Sequence, residues 1–138
     1  MYALGRHLLV EYYDCDPQVL NDCEALRSAL EEAARVVGAS IVQSAFHRFS
    51  PHGISGVLVI SESHLAVHTW PEYGYAAVDL FTCGTRADPW RAFELLKQRL
   101  RSGRAQGREV KRGILQEVVL GGTAACPPWQ REQRLEYG

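Results

Sequence analysis

Two stretches of this 138-residue chain lack a polar face. Written as an extended strand, residues 54–60 show Ile54, Gly56, Leu58 and Ile60 on one side and Ser55, Val57 and Val59 on the other. Residues 75–83 show Ala76, Val78 and Leu80 on one side, and Tyr75, Ala77, Asp79, Phe81 and Cys83 on the other. A sheet with one wet face alternates apolar with polar, so strands like these belong to a sheet covered on both sides. Helices can cover one side. The other side calls for a partner sheet, which predicts a homodimer packed sheet to sheet, with Ser55, Asp79 and Cys83 trapped near the interface. Polar groups between sheets need a reason to be there.

The remaining elements follow from punctuation and period. Residues 7–13 read as a strand ended by Asp14-Cys15-Asp16-Pro17. From Val19 a three-and-four spacing through Leu20, Cys23, Leu26, Leu30, Ala33 and Val37 predicts one helix, stopped at Gly38. Residues 40–49 and 54–60 pair across Ser50-Pro51-His52-Gly53, and 65–70 and 75–83 across Pro71-Glu72-Tyr73-Gly74. Asp88-Pro89 caps a second helix with Trp90, Phe93, Leu96 and Leu100 on its stripe, and 108–120 adds a last strand. The sum is an α+β fold, an antiparallel sheet of five or six strands with two helices on one face, a two-layer sandwich. One domain spans 1–120, and Gly-Gly, Pro-Pro and mixed charges mark 121–138 as a loose tail.

Composition narrows the function classes. Hydrophobic residues at 46% and charged residues at 22% suit a globular domain, and no apolar run approaches the roughly 20 residues needed to span a bilayer. With no leader pattern at Met1–His7, the expected location is the cytoplasm, away from membranes. Cys15, Cys23, Cys83 and Cys126 form no CxxC pair, so free thiols are expected rather than a disulfide frame or zinc knuckle. The net charge of −1 hides an asymmetry: residues 1–85 hold 4 basic against 10 acidic side chains, residues 86–138 hold 11 against 6. Seven of the basic residues lie between Lys97 and Arg112, but no aromatic is interleaved, so the segment reads as a solvated helix end and loop and no nucleic acid is expected.

The chemistry concentrates in 47–83. Ser61-Glu62-Ser63-His64 sits between two apolar strands where a hairpin turn would use Gly, Asn or Asp. With His68 five residues on and Cys83 on the next strand, nucleophile, base and acid types come together. On residue type alone, a solvated surface turn, a zinc pair at His64 and His68 lacking a third ligand, and a Ser63–His68–Asp79 hydrolase without a Gly-x-Ser-x-Gly elbow all stay open.

The blocks His47-Arg48-Phe49, Gly53-Ile54-Ser55-Gly56, Ile60 through Leu65, His68 through Ala77 and Asp79 through Gly84 resemble the prokaryotic S-adenosylmethionine decarboxylase proenzymes, in register from Gly5 to about Leu100. The resemblance implies a self-processing pyruvoyl enzyme that converts S-adenosylmethionine to its decarboxylated form and carbon dioxide, the aminopropyl donor for spermidine. By that resemblance the chain is a zymogen in which the Ser63 hydroxyl attacks the carbonyl of Glu62. The resulting ester eliminates, and Ser63 becomes a covalent pyruvoyl that forms a Schiff base with substrate. A 62-residue β chain and a 76-residue α chain (138 − 62) would result. Residue types make sense of this: decarboxylating an α-amino acid needs an electron sink, and the only lysines, Lys97 and Lys111, are poorly placed to bind pyridoxal phosphate.

The resemblance further casts His68 as the processing base, Ser55 as a hydrogen-bonding assistant, Cys83 as the proton donor in decarboxylation, and Phe49, Leu65, Trp70 and Glu72 as substrate contacts. No metal is expected. The family shares each site between two protomers, giving two α and two β chains. Two other readings remain at this point: a pyruvoyl decarboxylase of arginine or ornithine on the same scaffold, and a non-enzymatic homologue that kept only the fold.

Overall fold

The structure, a computed structural model, describes residues 3–84 and 87–121. Six strands, β1 (Ala3–Tyr13), β2 (Ile41–Arg48), β3 (Ile54–Ile60), β4 (Ser63–Trp70), β5 (Tyr75–Cys83) and β6 (Arg104–Ile114), form one sheet in the order β2-β3-β4-β5-β1-β6. Every neighbouring pair is antiparallel. Alternation decides the faces: Leu8, Val10, Tyr12, Ile54, Leu58, Leu65, Val67, Val78 and Leu80 are all buried on one side. Against that side pack α2 (Cys23–Val36), through Leu26, Leu30 and Ala33, and α3 (Pro89–Arg99), through Phe93 and Leu96. The opposite face carries His7, Leu9, Val57, Val59, Ala66, His68, Ala77 and Asp79, and no described element covers it. The expected α+β two-layer architecture is present. Among the described residues no helix is long and apolar enough to cross a membrane.

The single expected helix from Val19 is two. A short α1 (Pro17–Leu20), capped by Asp16, ends at Asn21, and Asp22 starts α2 by accepting a hydrogen bond from the Ala25 N–H. The apolar stripe runs unbroken through the junction, so periodicity alone conceals it. The Asn21 side chain is occupied elsewhere, accepting from Gly53 N–H at 3.1 Å and so tying the β2–β3 turn to the helical layer.

The last strand also departs from expectation, which placed it at 108–120. It starts earlier, at Arg104, and ends at Ile114, the partner of Ala3; α4 (Leu115–Gly121) follows. As an edge strand with few buried positions, β6 carries little apolar pattern to read. The basic run from Lys97 to Arg112 is therefore the end of α3 and most of this strand, and Arg6 pairs there with Glu109 in two hydrogen bonds. The tail expected from 121 onward lies outside the described residues beyond Gly121.

Two contacts fix the helical layer on the sheet. Tyr12 donates its hydroxyl to the Phe93 carbonyl at 2.8 Å. Buried Thr69 donates to the Leu20 carbonyl at 2.8 Å and accepts from Ile54 N–H at 2.9 Å. Thr69→Val keeps the shape and strands both main-chain groups. It should cost about 1–3 kcal/mol, read as a lower urea midpoint at unchanged slope.

Candidate functional site

The turn between β3 and β4 has two residues. Ile60 pairs with Ser63, leaving Ser61 and Glu62 to reverse the chain, and Glu62 does so at φ +66. A side-chain-bearing residue in the left-handed region costs about 1–2 kcal/mol, held here by the ladders on either side. The strained residue is the one whose carbonyl precedes Ser63. Across the site Cys83, the last residue of β5, donates its thiol to that Glu62 carbonyl oxygen at 2.7 Å. The Ser63 hydroxyl is buried and has no hydrogen-bond partner among the described residues. Buried hydroxyls are nearly always satisfied, and this unsatisfied one is adjacent to a polarised and strained peptide carbonyl.

A second cluster lies at the other end of β4. Ser55 and His68 face each other across the β3–β4 ladder, with Ser55 Oγ and His68 Nδ1 hydrogen-bonded at 2.7 Å. Phe49, 49% exposed, stands edge-on to His47 with ring centres 4.5 Å apart. Trp70, 40% exposed, tilts against Tyr75, whose hydroxyl donates to Glu11. Glu72 lies in a single 3-10 turn, Pro71–Tyr73, and pairs with His52 at 3.0 Å. Leu65 points into the helix-side core and is fully buried, beneath the sheet rather than on its open face.

Ser63 and His68 are therefore apart. They are five positions apart on β4, about 16 Å along an extended strand. Within one chain, Glu62, Ser63 and Cys83 come together, and Ser55 and His68 come together, but the two groups do not meet. Between them on the open face lie His64 and Ala66 of β4, with Val57 and Asp79 level with Ala66 on the neighbouring strands.

Cys83 is the thiol in contact with the strained turn. Cys15, also free, is pushed up to about 11 by burial and behaves as core. Cys126 lies outside the described residues.

Sequence reasoning passed over a third group beside Cys83. His7 stacks on Phe81 at 5.1 Å, His64 meets the same ring edge-on at 5.5 Å, and the ligand atoms of His7, His64 and Asp79 lie within 4.8 Å of one another. Strand parity was the available signal, since His7, His64 and Phe81 share one rung of the sheet.

Comparison with known proteins follows this geometry. The family described as S-adenosylmethionine decarboxylase matches residues 6–113. The S-adenosylmethionine decarboxylase proenzyme of Thermosipho melanesiensis is 56% identical over 120 residues, 87% of this chain and 92% of that one. The proenzyme of Thermotoga maritima is 55% identical over the same shares. Among solved structures, the adenosylmethionine decarboxylase of Aquifex aeolicus superposes with a TM-score of 0.77 at 33% identity, covering 83% of this chain and 95% of that one.

The His7 cluster makes a prediction of its own. Arg112 donates to His7 Nδ1 at 3.2 Å, which puts the proton of a neutral ring on Nε2, 3.8 Å from Asp79 and short of a hydrogen bond. Burial pulls the His7 pKa below its ordinary 6.5, with Asp79 opposing and Arg112 and His64 adding to the fall. The unfolded chain then takes up this proton first, so the contribution is intact above about 6.5 and is lost as pH falls from there through the lower folded value. At fixed protein concentration the urea midpoint should drop between pH 7.5 and 5.5, and less so in His7→Asn. An equal drop in that variant would assign the loss to another group.

Proposed function

The chain belongs to the S-adenosylmethionine decarboxylase family, and from that membership we infer how it makes its own electron sink and completes its site with a second copy of itself. It is a decarboxylase synthesised as a proenzyme, converting S-adenosylmethionine to its decarboxylated product and carbon dioxide. The separation of His68 from Ser63 along β4 is the observation that carries the rest of the reading.

Self-cleavage starts at the strained turn. The free Ser63 Oγ adds to the Glu62 carbonyl carbon, the C–N bond breaks, and the peptide becomes an ester with a free amine on residue 63. Cys83 Sγ–H, already 2.7 Å from the carbonyl oxygen, holds the negative charge that develops there, as an oxyanion donor does. Relief of the left-handed Glu62 backbone favours the same direction. A base then takes the Ser63 Cα proton, the Glu62 carboxylate leaves, and hydrolysis of the dehydroalanine releases ammonia and leaves a pyruvoyl group at residue 63. An unpartnered serine hydroxyl beside a polarised carbonyl fits that origin. The pyruvoyl carbonyl supplies the electron sink that loss of carbon dioxide requires.

His68 suits the base. The Nδ1–Ser55 Oγ hydrogen bond orients the ring, and in the tautomer that carries its proton on Nδ1 the free Nε2 is the base. It serves a Ser63 that its own chain cannot bring to it. The open sheet face resolves this: two copies packed face to face about a two-fold axis near Ala66 bring the first half-site of each onto the second half-site of the other. The small Ala66 at the centre, beside Val57, lets the sheets approach to about 10 Å. In this arrangement Phe49, Trp70 and Glu72 gather with Ser55 and His68 around the partner's residue 63. There the aromatic faces suit the adenine and the cationic sulfonium, and the carboxylate suits the ribose hydroxyls. Leu65 supports the sheet from beneath. Cys83 remains as the proton donor to the carbon that loses carbon dioxide.

Two experiments test this. Ser63→Ala and His68→Ala, each alone, should stay at full-chain mass. Refolded together as a one-to-one mixture, they assemble dimers with one intact shared site, and intact-mass measurement should show about half of the His68→Ala chains cleaved between residues 62 and 63. No cleavage in the mixture, with mixed dimers present, would place the site within one chain. Cys83→Ala should slow appearance of the fragments by roughly tenfold or more, with Cys83→Ser recovering part of the rate. An unchanged rate would remove Cys83 from the first step.

A further inference from the structure

We propose that His52 is a positioning residue for the substrate, holding the Glu72 carboxylate in place for the ribose diol. The inference rests on the reading of Glu72 as a substrate contact and adds a residue that no other part of that reading uses.

His52 Nε2 and Glu72 Oε2 are 3.0 Å apart at the rim of a cleft of about 540 Å³ that Gln18, Asn21 and Arg48 also line. Both side chains are open, 38% and 39% exposed. An exposed pair of this kind adds little to folding, so its contribution is one of orientation. The backbones beneath it are fixed. The β2–β3 loop that carries His52 is closed by Phe49 N–H donating to the Gly53 carbonyl at 2.8 Å, and is anchored to Asn21 through Gly53 N–H. Glu72 sits in a turn begun by buried Pro71 and closed by Gly74 N–H donating to the Pro71 carbonyl at 3.1 Å. Two rigid backbones therefore present one flexible carboxylate, and the imidazole fixes Oε2 so that Oε1 is left to accept from the ligand.

Glu72 is held ionised as well. Its own main-chain N–H pulls its pKa down and His52 adds to this, against a smaller opposing effect of desolvation than the main-chain bond. The same short loop carries Phe49 at its start. A single segment thus sets the distance between the ring offered to the base and the carboxylate offered to the sugar.

The test is steady-state decarboxylation of S-adenosylmethionine by self-cleaved wild type, His52→Ala, Glu72→Gln and the double variant. His52→Ala should raise KM roughly three- to tenfold with kcat within about twofold, while the extent of self-cleavage and the melting temperature stay at wild-type values. Glu72→Gln should raise KM at least as far, and His52→Ala should add nothing in that background. His52→Lys, which again offers an N–H donor to the Glu72 carboxylate, should recover much of the loss. An unchanged KM in His52→Ala, or effects of the two substitutions that multiply, would overturn the proposal while leaving the enzyme's activity in place. An unchanged KM in Glu72→Gln would overturn it together with the assignment of Glu72. A wild-type chain that cleaves but does not turn over S-adenosylmethionine would bring down the functional reading and this inference with it.

Discussion

Pairing Ile60 with Ser63 is the constraint from which the site follows. It leaves two residues to reverse the chain and drives Glu62 into the left-handed region. It also sets the register of the whole β3–β4 ladder, so that Ser55 meets His68. Because side chains alternate with a period of two, a slip of one residue would send His68 into the helix-side core and Leu65 onto the open face. Through the next ladder, with His64 opposite Phe81, the same register carries Cys83 to the Glu62 carbonyl. The strained residue, the unpartnered hydroxyl and the thiol at one end, and the hydrogen-bonded histidine at the other, are set by one short turn.

Electrostatics follow the division into two faces. On the helix side Tyr12 and Thr69 are spent on main-chain partners, and the buried Thr82 hydroxyl is without one among the described residues. The open side holds titratable groups that are only part-satisfied: His7 with Nε2 unpartnered among the described residues, Asp79 just beyond hydrogen-bonding distance, and the exposed His68. A surface that mixes such groups with Val57, Ala66 and Ala77 is neither a wet face nor a finished core. That mixed composition is what the proposed pairing of two copies rests on.

Much of this was legible in the sequence. The absence of a polar face in 54–60 and 75–83, the Asp88-Pro89 cap and the hairpin turns all carry their physics locally, and the structure has them. The break at Asn21 was not legible, because the residue that ends α1 does so while serving a turn 32 positions away, and apolar spacing continues across it. The end of the last strand was hidden for a different reason. Leu115, Val118 and Val119 are strand-like by type, but the ladder stops where Ile114 meets Ala3. Within the site, the chemical types of Ser63, His68 and Cys83 were plain, whereas their arrangement was not. A spacing of five along a strand already implies about 16 Å, so the division of the site could have been computed once β4 was extended back to Ser63. His52 gave no sign, since a histidine in a proline-glycine turn is unremarkable until its neighbour in space is known.

The strand order has a consequence for the cleaved protein. A cut between Glu62 and Ser63 assigns β1, β2 and β3 to one fragment and β4, β5 and β6 to the other, yet β1 lies between β5 and β6. The fragments are interleaved rather than apposed. Separating them means unzipping β3 from β4 and withdrawing β1 from a slot with a ladder on each side, so the nick costs almost nothing while the sheet is intact. Once melted, a fold that formed within one chain would have to be rebuilt as an encounter between two molecules. The protein would thus inherit its shape from a precursor it no longer is, held thereafter by the height of the barrier to coming apart.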